Sequence, residues 1–150
     1  MSTMRALKLS RRYRFSASHR LYADSLTEAE NRAIFGKCAN PFGHGHDYTL
    51  DVSVSGPLDV NTGRIVDLDA LDGLIRGAIL EPMEHCNLNV DIAEFQGSLV
   101  PTTENLAIVV RDRIASRWRG CFGSSAFPEV VLEKIRIEET KRNIFEVSGL

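Results

Sequence analysis

The chain has 150 residues, 43% of them hydrophobic and 25% charged, with a formal net charge of -2. That length fits one domain, residues 1–150, with a core of its own. The near-neutral balance excludes a nucleic-acid binder's basic footprint, and no apolar run reaches membrane-spanning length. The stretch MSTMRALKLSRRYRF lacks the apolar core of a signal peptide, so a cytoplasmic protein is expected.

The first element is a strand. Leu7, Leu9, Tyr13, Phe15, Ala17, His19 and Leu21 share one parity, and Arg12, Arg14, Ser16, Ser18 and Arg20 share the other. Such alternation marks a strand with one covered face. The stretch KCANPFGHGHDYTLDVSVSG then leads through a Pro/Gly turn into a second strand. Its apolar parity is His44, His46, Tyr48, Leu50, Val52, Val54; its polar parity is Gly45, Asp47, Thr49, Asp51, Ser53, Ser55.

Three of the four histidines therefore sit at strand ends on covered faces. If the two strands are neighbours, His19, His44 and His46 converge. The bland alternative for each is a buried histidine satisfied by a hydrogen bond. For an H-x-H pair the alternative is weaker, because burial disfavours the charged form and adjacent charged rings repel. A divalent cation bound by neutral imidazoles resolves both problems. Three histidines with no fourth protein ligand suit a catalytic Zn2+ with an open position.

Further along, SGPLDVNTGR is turn-rich. Asp67 caps a helix with a stripe of Leu68, Leu71, Ile75, Ala78 and Ile79, and Pro82 ends it. EHCNLN reads as a loop. PTTEN opens a second helix, capped by Thr102 or Thr103, with Leu106, Val110, Ile114 and Trp118 on one side. GCFGSSAFP breaks that pattern, and the strands EVVLEKIRIEE and NIFEVSG close the chain. The order ββααββ predicts an α+β domain: a four-stranded antiparallel sheet with two helices on one face.

Cys38, Cys86 and Cys121 are odd in number and far apart. They form neither a disulfide framework nor a CxxC zinc site, so the default for each is a small buried hydrophobe. In the penultimate strand Glu138 shares a face with Lys134 and Arg136, whereas Glu139 follows Ile135 and Ile137 on the apolar face. A carboxylate there is costly unless something meets it. It either escapes to solvent at the strand end or grips an N–H-rich ligand, since ionised Glu offers acceptors only.

FSASHRL, KCANPFGHGHDY, EHCNLN, PTTENLA and IEET occur in the order and spacing of one family. Over nearly its whole length the chain resembles the 6-pyruvoyltetrahydropterin synthases. That family includes the 6-carboxytetrahydropterin synthases of the queuosine and other deazapurine pathways. The resemblance implies the tunnelling fold, or T-fold, a homohexamer of two trimers with barrel-closed sheets, and active sites between subunits. It implies 7,8-dihydroneopterin triphosphate as substrate and zinc on His19, His44 and His46. It implies Cys38 as general base, His85 with Glu84 as its proton-transfer partners, Glu139 as catalytic carboxylate and anchor of the pterin ring, and Thr102 and Thr103 lining the pocket. The chain departs from the family in two places: Glu84 replaces the usual Asp, and Cys86 the usual Lys. The implied reaction eliminates triphosphate and yields 6-pyruvoyltetrahydropterin without an external redox cofactor. The rivals are the 6-carboxytetrahydropterin product from the same substrate and a non-catalytic zinc- or pterin-binding assembly protein. The segment NPFGHGH between Cys38 and His46 favours the pyruvoyl branch, and retention of Cys38, His85 and Glu139 argues against a non-catalytic protein.

Overall fold

A computed structural model describes residues 6–149. Five strands form one sheet: β1 (Ala6–His19), β2 (His44–Pro57), β3 (Cys86–Asn87), β4 (Val131–Glu138) and β5 (Ile144–Ser148). Their order across the sheet is β3-β1-β2-β4-β5. β1 and β2 pair antiparallel along their whole length, from Ala6 against Pro57 to His19 against His44. The alternation read in both strands puts Phe15, Ala17, Tyr48, Leu50, Val52 and Val54 into the core. β2 is central, flanked on both sides, so even polar Asp51, Ser53 and Ser55 are buried there. Asp51 is ionised at low cost because Arg12 and Arg136 both donate to it.

The sheet is mixed and five-stranded, not four-stranded and antiparallel. β3 runs parallel to β1, pairing Ala17 with Cys86 and Ser18 with Asn87. Two residues are too few to show a period, so EHCNLN reads as a loop from sequence. A bulge corrects the face assigned to the start of β4. The register passes from Ser53–Lys134 to Val54–Leu132, leaving Glu133 extra. One extra residue flips the faces on either side of it. Leu132 is thus buried and Val131 exposed, while Ile135 and Ile137 point inward as expected.

The helices are α1 (Glu28–Phe35), α2 (Leu68–Ile75), α3 (Glu81–Met83), α4 (Leu88–Asp91) and α5 (Thr103–Phe122). Leu71 and Ile75 of α2, with Leu106, Val110 and Ile114 of α5, join the sheet's inner face in one core. Asp67 caps α2 by accepting from the Ala70 amide, as predicted. α1 is absent from the sequence reading because it lacks an apolar stripe. Its signal was the capping box Thr27-x-x-Glu30, in which both side chains close on the helix start. Pro82 does not end the helical stretch that Asp67 caps, which runs on to Met83. The chain passes from α2 through a π turn (Arg76–Leu80) into α3. Pro82 has no N–H for the Ala78 carbonyl, and Arg113 donates to that carbonyl instead. α5 likewise runs on through Cys121 to Phe122, past the first residues of the segment read as a break.

Candidate metal centre and active site

The site begins with the pairing of β1 and β2. His19 lies opposite His44, and His46 lies opposite Ala17 on the same face. The three rings meet edge to face, with centroids 4.5–5.1 Å apart. Gly43 makes the approach feasible. Its φ of +65° suits glycine, and a Cβ there would stand 2.4 Å from the His19 carbonyl oxygen. We expect Gly43→Ala to destabilise the fold by more than about 1 kcal/mol and to lower metal retention by moving His44. Unfolding curves and metal analysis of the purified variant check this, and wild-type values in both would refute it.

One ring nitrogen from each histidine lies within 4.8 Å of the other two. His19 Nδ1 is fixed by the Pro101 carbonyl at 2.8 Å, which turns Nε2 inward. His19 Nε2, His46 Nε2 and His44 Nδ1 are buried with no hydrogen-bond partner among the described residues. Burial is the main cause that lowers the pKa of both His19 and His46, so both rings favour the neutral, ligating form. Buried orphan nitrogens are costly in an empty pocket and are what a cation requires. The triad therefore fits a metal ion. Bonds of about 2.0–2.1 Å would draw the rings slightly closer.

Three further groups stand around the triad. Cys38 Sγ is 3.5 Å from His44 Nε2. Its pKa is raised, first by burial and then by the charge of Glu139. Glu139, one residue beyond β4, reaches back to 3.2 Å from His46 Nε2 and 3.8 Å from His19 Nε2. Glu138 lies on the other face, near Arg12. Of the two threonines, Thr102 caps α5, accepting from the Asn105 amide. The Thr103 hydroxyl is buried beside the Tyr48 phenol.

Tyr48 is a site residue that the sequence reading left in the core. Its phenol is buried, beside the Thr103 hydroxyl and the His46 ring. Burial, then Glu139, raises its pKa. Its position two residues beyond His46 on one strand face was the available signal. The Pro101 carbonyl, a backbone group 82 residues from His19, left no signal in the sequence.

Glu84 and His85 do not join this cluster within one chain. His85 has a φ of +57°, and its amide donates to the Ser16 carbonyl. Its Nε2 lies 3.1 Å from Glu84 Oε1, which also accepts from the Ser16 amide. The His85 side chain is 83% exposed. It borders a groove of about 250 Å³ with Ser16, Ala17, Ser18, Gly45, His46, Asp47 and Cys86. Of these, Ser16, Ser18, Gly45 and Asp47 belong to the polar parity of β1 and β2. Cys86, behind it, is buried and its thiol is pushed up to about 11, chiefly by burial.

A histidine triad on two paired strands of a mixed sheet, with a thiol and a carboxylate beside it, defines an α+β protein whose three imidazoles could hold a metal ion. Residues 8–149 match the family model described as 6-pyruvoyl tetrahydropterin synthase, and the chain belongs to that family. It is 40% identical over 142 residues to the 6-pyruvoyl tetrahydrobiopterin synthase of Homo sapiens, covering 95% of this chain and 91% of the human one. The structure of 6-pyruvoyl tetrahydropterin synthase from Caenorhabditis elegans superposes with a TM-score of 0.86 at 37% identity, covering 100% of both chains. A 6-carboxy-5,6,7,8-tetrahydropterin synthase of Haemophilus influenzae is 31% identical over 81 residues, covering 52% of this chain and 49% of that one.

Proposed function

We propose that this chain, as one domain over residues 1–150, is a zinc-dependent 6-pyruvoyltetrahydropterin synthase acting on 7,8-dihydroneopterin triphosphate. The observation that carries the reading is the convergence of His19, His44 and His46 with Cys38 and Glu139 on one covered sheet face. The three histidines would hold zinc, which when bound supplies Lewis-acid polarisation of the substrate's side-chain hydroxyls. Cys38 would act as general base toward the adjacent C–H bonds. Glu139, an acceptor only, would grip the N–H-rich edge of the pterin ring. Thr103 would offer its buried hydroxyl to the same ring, while Thr102 holds the start of α5. Triphosphate elimination and internal redistribution of electrons then give 6-pyruvoyltetrahydropterin.

His85, oriented by Glu84, would pass protons at a site completed by a neighbouring subunit, because in its own chain its side chain is 83% exposed and outside the ligand group. That favours an assembly. β5 is an edge strand of the sheet, and barrel closure removes such edges. We read the assembly as a homohexamer of two trimers, working in the cytoplasm. No described helix is long and apolar enough to cross a membrane.

The test is incubation with 7,8-dihydroneopterin triphosphate and mass analysis of the products. One triphosphate released per 6-pyruvoyltetrahydropterin formed is expected. A 6-carboxytetrahydropterin product would move the chain to the other branch, and no turnover at all would sink the enzyme reading.

A further inference from the structure

Cys38 and the histidines come from different stretches of chain. Cys38 lies on a 3-10 turn, Gly36–Ala39, that belongs to no strand. The two residues after His19 hold two successive carbonyls of that turn. The Leu21 amide donates to the Cys38 carbonyl at 2.7 Å, and Arg20 Nε donates to the Ala39 carbonyl at 3.1 Å. Among the described residues, these two bonds tie the backbone of the turn to the end of β1. Ordering a side chain as long as arginine costs rotamer entropy, and the Arg20 guanidinium makes no ion pair among the described residues. It lies over the face of Tyr22, 4.2 Å from the ring centroid, an attraction of cation to ring quadrupole. Its Nε–H goes to a neutral carbonyl one residue from Cys38.

The Arg20 backbone is fixed as well. Asn89, on α4, accepts from the Arg20 amide at 2.7 Å and donates to the Arg20 carbonyl at 2.9 Å. Its side-chain amide stands in for a strand neighbour, extending to Arg20 the β3–β1 pairing that ends at Ser18 and Asn87. Asn87 in turn accepts from the Asn89 amide. A continuous path thus runs from Asn89 through Arg20 to the turn whose Cys38 Sγ stands 3.5 Å from His44 Nε2. Placement matters for a base that takes protons from carbon, because about 1 Å of displacement can cost about 10²-fold in rate.

We propose that Arg20 and Asn89 are positioning residues for Cys38. Asn89 clamps the Arg20 backbone, and Arg20 fixes the turn so that the thiol stays beside the triad. The inference rests on the reading of Cys38 as the base. Neither residue touches the substrate; both act through where they hold the sulfur.

The test is a double-mutant cycle on the whole protein: wild type, Arg20→Lys, Cys38→Ala and the double variant, with Asn89→Ala and Asn89→Asp alongside. Lysine keeps the charge but puts a methylene where Nε stands. Aspartate keeps the acceptor for the Arg20 amide and loses the donor to its carbonyl. Arg20→Lys is expected to lower kcat by about 10–100-fold, with KM and metal content at wild-type values. Added to Cys38→Ala it should cost nothing further, since it acts through the thiol. Asn89→Ala should match Arg20→Lys, and Asn89→Asp should fall between it and wild type. A second readout needs no turnover: the rate at which iodoacetamide alkylates Cys38, located by peptide mass analysis. That rate should rise by about threefold or more in Arg20→Lys and Asn89→Ala, because thiol reaction rates depend on access, while the rates at Cys86 and Cys121 stay constant. An equal loss from Arg20→Lys with and without Cys38 would mark a general effect on the fold and overturn the proposal. Wild-type kcat and wild-type alkylation in both Arg20→Lys and Asn89→Ala would overturn it too. Full turnover by Cys38→Ala would instead sink the reading of Cys38 as base, and the alkylation rates would then decide the tether by themselves.

Discussion

Cys38→Ala loses turnover by about 10²–10⁴-fold, the range for a general base acting in the chemical step, while metal content and fold stay at wild-type levels. The structural part of Cys38 is its backbone: the carbonyl accepts from the Leu21 amide at 2.7 Å, and the substitution leaves that bond in place. What is removed is the sulfur facing His44. The other cysteines provide the control. Cys86 is buried, with its thiol held up to about 11, and Cys121 donates to the Ala70 carbonyl between helices. Cys86→Ala and Cys121→Ala should therefore stay active. Steady-state kinetics on the three variants, with zinc measured on the same samples, decide the matter. An essential Cys86 with a dispensable Cys38 would reverse the assignment.

His46→Ala is expected to strip the metal and with it the activity. Loss of an outer hydrogen-bond partner alone typically weakens metal binding by about 10–100-fold, so loss of a direct ligand should exceed about 100-fold. His46 is the better choice for this test than His19. The latter is 1% exposed and tied to Pro101, so His19→Ala would confound metal loss with a packing defect. His46 is partly exposed on a strand whose pairing is made by backbone groups. Metal analysis after dialysis, alongside thermal unfolding of the metal-free forms, separates the two effects. Full retention of zinc by His46→Ala would remove the metal assignment.

Parity was the most informative signal in the sequence. It placed His19, His44 and His46 on covered faces, and it separated Glu139 from Glu138, because alternation along a strand is a local property of the backbone. Caps were local too: Asp67 and Thr102 each bond an amide three residues on, and such spacing survives in the order of residues. The capping box of α1 was equally local, but it was not matched by any apolar stripe.

What parity could not supply was who stands beside whom. The triad forms only because β1 and β2 pair in one register, which a single-residue slip would destroy. The bulge at Glu133 arises from packing of Leu132 into the core and from the register with β2. It changes faces in a way that periodicity alone cannot foresee. β3 exists because the chain returns along the free edge of β1, and two residues carry no pattern of their own. The same return leaves His85 exposed and outside the ligand group, although its spacing in the sequence resembled that of one site. The sequence by itself determined the apolar face of β1 and β2 and which chemistries its side chains offer. The tertiary structure alone decided which of them meet, because strand neighbours, register and the His19–Pro101 bond are long-range contacts, and no local pattern records them.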